Sequence, residues 1–120
     1  MPRVLYIEDD PNNRMLVRRI LRASDIDVEE AEDAPTGIQM ALDNPPDLIL
    51  MDMSMPGMDG LTATQKIRTM PEISHVPIIA LTANVMQGDR ERSLNAGCDG
   101  YIGKPIDVDS FADQIIKYIR

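Results

Sequence analysis

Three short segments are apolar at every position or nearly so: Val4-Leu5-Tyr6-Ile7, Leu48-Ile49-Leu50-Met51 and Val76 to Leu81, which holds Ile78-Ile79-Ala80-Leu81. A strand with one wet face alternates apolar and polar residues. A run without alternation has to be covered on both faces, which is the situation of a parallel sheet clad by helices. Between these runs lie stretches with helical spacing, so the chain reads as strand and helix in turn.

The punctuation supports this. Asp10-Pro11 looks like a helix cap followed by proline in the first turn, and Leu16, Val17, Ile20 and Leu21 make the apolar stripe of that helix. A weaker strand is expected from Asp27 to Ala31, and a second helix from Asp33 to Leu42, closed by Asn44-Pro45-Pro46. The third strand, Leu48 to Met51, ends at Asp52. Pro56-Gly57-Met58-Asp59-Gly60 is a loop, and Leu61 to Thr69 a third helix. Val76 to Leu81 is the fourth strand, with Pro77 near its start. Gln87 to Asn95 is the fourth helix, with Gly97 as its C-terminal cap. A fifth strand lies within Cys98 to Ile102. Val108, Phe111, Ala112, Ile115 and Ile119 form the face of a last helix capped by Asp107. Five strands alternating with five helices imply an α/β fold with a parallel sheet and right-handed crossovers.

Composition narrows the function. The 120 residues suit one domain, expected to span 1–120. A net charge of −8 argues against binding nucleic acid, and 3% aromatic residues leave little for base stacking. No apolar stretch approaches the ~20 residues of a bilayer span, and no signal peptide is visible. One cysteine, Cys98, allows no internal disulfide. A cytoplasmic protein is expected.

Ligands of open parallel sheets bind beyond the carboxyl ends of the strands. Those ends carry Glu8-Asp9-Asp10, Asp52, Leu81-Thr82-Ala83 and Lys104-Pro105. Crowded carboxylates repel one another unless a cation intervenes, and oxygen-only ligands in a half-open site suit Mg²⁺. An aspartate can carry a phosphoryl group as an acyl phosphate. Lys104 offers a positive charge to phosphoryl oxygens and Thr82 a hydroxyl donor.

The segments Val4 to Asp10, Asp47 to Gly60, Pro77 to Ala83 and Gly97 to Pro105 together resemble the bacterial response-regulator receiver, in order and over essentially the whole chain. The resemblance implies a flavodoxin-like (βα)5 fold with strand order 2-1-3-4-5. It implies Asp52 as phosphoacceptor, and Glu8 and Asp9 as an acidic pair with Asp9 the more direct Mg²⁺ ligand. Asp52 and the Ser54 backbone carbonyl would complete the protein's ligands. Thr82 and Tyr101 would be the switch residues, and Lys104 the lysine of the site, with a cis bond to Pro105. Such receivers take the phosphoryl group from the phosphohistidine of a sensor histidine kinase or a histidine phosphotransfer protein. They then change a downstream protein partner through the surface of helix four, strand five and helix five. The protein would catalyse only its own phosphorylation and dephosphorylation, with no external substrate, and would be a stand-alone monomer, with dimerisation on phosphorylation open.

Simpler roles compete at single positions. Asp10 is better read as a cap than a ligand, Tyr101 could be half-buried packing, and Cys98 is a small buried residue. His75 is read as solvated, and Met51 as core. A phosphatase or mutase with an aspartyl phosphate would place a second acid two residues after the nucleophile, where Ser54 stands. An FMN carrier would need a phosphate-cradling loop where Glu8-Asp9-Asp10 puts negative charge. A degenerate receiver acting as a phosphorylation-independent binding module is the remaining alternative. Mg²⁺ is expected to raise the melting temperature, because it would bind the assembled acids and not the dispersed ones of the unfolded chain. Thermal melts with and without millimolar Mg²⁺ check this, and an unchanged midpoint counts against the metal.

Overall fold

The unalternating runs become the central strands of one sheet. The computed structural model describes residues 2–55, 57–83 and 89–119. Its elements are β1 (Arg3–Ile7), α1 (Pro11–Arg22), β2 (Asp27–Ala31), α2 (Ala34–Asp43), β3 (Leu48–Asp52), α3 (Gly60–Arg68), β4 (Ile78–Thr82), α4 (Asp89–Ala96), β5 (Gly100–Gly103) and α5 (Phe111–Ile119). All pairings are parallel, and the strand order is β2-β1-β3-β4-β5.

Successive side chains of a strand point to opposite faces, so each apolar run feeds two cores. Leu5, Ile7, Ile49, Met51, Ile78 and Ala80 pack with Ala34, Ile38, Ala63 and Ile67 from α2 and α3. Val4, Tyr6, Leu48, Leu50, Ile79 and Leu81 pack with Val17, Leu21, Phe111 and Ile115 from α1 and α5. This two-sided burial is the physical reason why the runs contain no polar alternation.

Caps fix where the helices begin. Asp10, Asp33 and Asp59 each accept a backbone N–H of the first turn, from Asn12, Thr36 and Thr62, at 2.8 Å. That bond holds the Asp33 carboxyl below the usual carboxylate range. The structure thus places Asp33 just outside its helix, and starts α3 at Gly60 behind the Asp59 cap. A Cβ at Gly60 would lie 2.6 Å from the Asp52 carbonyl oxygen, so glycine lets this helix close on the end of β3.

Other boundaries shift for identifiable reasons. β4 starts at Ile78, because Val76 still bonds back to Ile73 in the preceding turn. β5 spans Gly100–Gly103, one residue past the expected segment, and Cys98 stays outside it because its N–H bonds back to the Ser93 carbonyl of α4. Asp107 organises a turn ahead of α5, accepting from Asp109 N–H and the Ser110 hydroxyl. Val108 therefore lies outside the helix and is 56% exposed, contrary to its expected place on the apolar face. Gln87 and Pro56 lie outside the described residues. Gly97 ends α4 at φ +116°, a conformation open to glycine.

One clamp was not foreseen from the sequence. Arg68, at the end of α3, donates to the carbonyls of Gly97, Ser74 and Val76 at 2.8 Å and to Asp99 at 2.7 Å. It ties α3, the approach to β4 and the start of β5 together. Arg68→Ala should destabilise the fold by about 2 kcal/mol, since charged hydrogen bonds to half-buried carbonyls are lost. Arg68→Lys should recover little of it, because one ammonium cannot span these acceptors. Urea denaturation of the two variants measures both effects.

Candidate functional site

Register builds the site. Tyr6 of β1 lies opposite Leu50 of β3. Two residues further on come Glu8, directly after β1, and Asp52, the last residue of β3. Glu8 is 1% exposed and Asp52 2% exposed, whereas the neighbouring Asp9 is exposed. One carboxylate oxygen from each of the three can be chosen so that all lie within 4.8 Å of one another.

Lys104 reaches into this cluster from the end of β5. Its Nζ donates to Glu8 Oε1 and Asp52 Oδ1, both at 3.2 Å. The backbone holds it there, with Lys104 N–H donating to the Thr82 carbonyl at 2.7 Å and a cis peptide joining Lys104 to Pro105. Burial pulls the ammonium pKa down, but the Asp52 and Glu8 charges and hydrogen bonds outweigh it and hold Lys104 above the usual lysine range. Three carboxylates thus face one ammonium. The contact with Glu8, then burial and the Glu8 and Asp10 charges, push the Asp9 carboxyl up. Clustered oxygens short of positive charge suit a hard divalent cation, and Glu8, Asp9 and Asp52 supply only oxygen donors. The residues present fit Mg²⁺.

The remaining expected residues lie around this centre. Ser54 is exposed, and its N–H donates to Asp52 Oδ1 at 3.1 Å. Thr82 is buried at the end of β4, and with Ser54, Asp59 and Arg92 it lines a cavity of about 250 Å³. Tyr101 is partly exposed, but its hydroxyl is buried and has no hydrogen-bond partner among the described residues. Asp10 caps α1, Cys98 is buried against Thr64, with burial pushing its thiol up, and His75 is exposed.

Sequence reasoning missed the residues that hold Glu8. The Tyr6 hydroxyl donates to Glu8 Oε1 at 3.0 Å and Asn13 Nδ2 to the same oxygen at 3.2 Å. Arg14 donates to the Glu8 carbonyl at 2.8 Å. A signal existed: Tyr6 carries the one hydroxyl in its apolar run and stands two positions before Glu8, on the same face.

Glu8 and Asp52 are too buried to lose their cation without cost. Lys104→Met should lower stability in metal-free buffer by about 2–3 kcal/mol, the cost of leaving buried carboxylates uncompensated. Adding Mg²⁺ should restore part of it. Urea titrations in EDTA and in Mg²⁺ read both effects, and equal stability to the unaltered protein in EDTA would contradict this electrostatic picture.

Known proteins share this arrangement. The chain matches the family described as response regulator receiver domain over residues 4–116. It is 38% identical over 120 residues to the polar-differentiation response regulator DivK of Brucella anthropi, covering 99% of this chain and 98% of the relative. The DivK of Brucella ovis is 37% identical over 116 residues, covering 97% and 94%. Among solved structures, the receiver domain of a sensor histidine kinase from Pseudomonas aeruginosa, described with a magnesium ion coordinated in its active-site cleft, is similar with TM-score 0.90 and 36% identity, covering 98% of this chain and 97% of that one. The chemotaxis protein CheY4 of Vibrio cholerae, at 24% identity and TM-score 0.92 over 98% of each chain, shares the fold. The chain belongs to the response-regulator receiver family, whose members are signalling switches and not enzymes with an external substrate.

Proposed function

We propose that this protein is a phosphorylation-dependent switch in which Asp52 accepts a phosphoryl group from the phosphohistidine of a sensor histidine kinase or a histidine phosphotransfer protein. The observation that carries this reading is Lys104 Nζ, 3.2 Å from both Asp52 and Glu8, in a carboxylate cluster at the sheet's carboxyl edge. A carboxylate oxygen of Asp52 attacks phosphorus, the phosphorus–nitrogen bond breaks, and the imidazole keeps the electron pair. Glu8, Asp9, Asp52 and the Ser54 carbonyl would hold Mg²⁺. When bound, the metal supplies charge neutralisation at the phosphoryl oxygens.

The chain's own groups do the rest. Lys104 exchanges a carboxylate oxygen for a phosphoryl oxygen as its acceptor, and the Thr82 hydroxyl donates to another. The Tyr101 hydroxyl, buried without a partner among the described residues, has a hydrogen bond to gain in a second conformation. Phosphorylation then shifts the population toward the state in which Thr82 and Tyr101 have moved. The surface of α4, β5 and α5 would change its affinity for a downstream protein. The reading extends to residues 1–120 acting as one receiver unit in the cytoplasm, monomeric before phosphorylation.

Intact-mass spectrometry after incubation with acetyl phosphate tests the reading. One added phosphoryl group is expected in Mg²⁺, with none in EDTA and none on Asp52→Asn. Failure in Mg²⁺, repeated with phosphorylated histidine kinases as donors, would favour a phosphorylation-independent binding module.

A further inference from the structure

Tyr6 is fully buried in the core between the sheet and α1 and α5. A hydroxyl in such a place is costly unless bonded, and its one partner among the described residues is Glu8 Oε1 at 3.0 Å. That oxygen also accepts from Asn13 Nδ2 and from Lys104 Nζ, both at 3.2 Å. Among the described residues, the one backbone donor to Glu8 Oε2 is the Asp10 N–H, at a long 3.4 Å. The donors are therefore gathered on one oxygen, and the other keeps its capacity for a cation.

We infer that Tyr6 is a positioning residue: its hydroxyl locks Glu8 Oε1 to the core and so orients Glu8 Oε2 for a divalent cation at the acidic cluster. This inference rests on the Mg²⁺ reading above. Of the three donors to Oε1, Lys104 is also bonded to Asp52, and Asn13 belongs to a partly exposed surface of α1. Tyr6 alone comes from the rigid centre of the sheet. It keeps a donor on Glu8 when Lys104 turns to a phosphoryl group, so the buried carboxylate is not abandoned. Were Tyr6 there for packing only, phenylalanine would serve equally well.

The test is Tyr6→Phe with Mg²⁺ titrated against amide shifts of the isotopically labelled protein, and with melting in EDTA as the measure of fold. The variant should stay folded without metal and bind Mg²⁺ on the order of tenfold more weakly, as when hydrogen-bond partners of metal ligands are removed. Equal affinity in both proteins would overturn the positioning role alone. No Mg²⁺ binding by the unaltered protein would overturn the metal reading and this inference with it. A second measurement needs no variant. The Tyr6 hydroxyl proton should be protected from exchange in the metal-free protein and should shift when Mg²⁺ is added. A proton that exchanges freely, or is indifferent to bound Mg²⁺, would also contradict the role.

Discussion

Glu8 and Asp52 stand side by side because β1 and β3 are in parallel register, with Tyr6 opposite Leu50. Their separation is thus set by where the two strands end, and the two cores that cover the sheet hold those ends in place. Two buried carboxylates at that spacing are unfavourable without a cation. Lys104 supplies one positive charge, and the cluster with Asp9 has room for more. This electrostatic shortfall is what suits the edge of the sheet to the proposed cation and phosphoryl group.

The same layout separates what is fixed from what can move. Asp52 is the last residue of β3, Glu8 follows directly on β1 with its N–H bonded to the Ala31 carbonyl of β2, and Lys104 is tied to β4 through the Thr82 carbonyl. The groups that would respond to phosphorylation, Thr82 and Tyr101, sit at the edge of the sheet by α4 and β5. There Tyr101 buries a hydroxyl without a partner among the described residues. α4 is the most polar helix of the fold and buries little beyond Ser93 and Ala96.

Much of this was legible in the sequence, for physical reasons. Runs such as Leu48 to Met51 announce two-sided burial, and Asp10-Pro11 announces a helix start, whereas Asp59-Gly60 reads as loop and proves to be the cap and first residue of α3. Acids and Lys104 at the strand ends announce a shared edge, because a parallel sheet brings all those ends together. What stayed hidden depends on long-range geometry. Nothing local in Arg68 says that its guanidinium gathers the Gly97, Ser74 and Val76 carbonyls, and nothing local in Val108 says that Asp107 will form a turn before the helix begins. Tyr6 is intermediate: periodicity places it under Glu8, but only the folded core shows that its hydroxyl has nowhere else to turn.

The most direct measurement is to trap the phosphorylated protein with borohydride and map the product by peptide mass spectrometry. Borohydride reduces an acyl phosphate to the alcohol, so a phosphorylated aspartate becomes homoserine. Homoserine at position 52, dependent on Mg²⁺ during phosphorylation, is the predicted result. Reduction at another acid, or a phosphoryl group that borohydride leaves in place because it is not an acyl phosphate, would contradict the assignment of Asp52 as the acceptor.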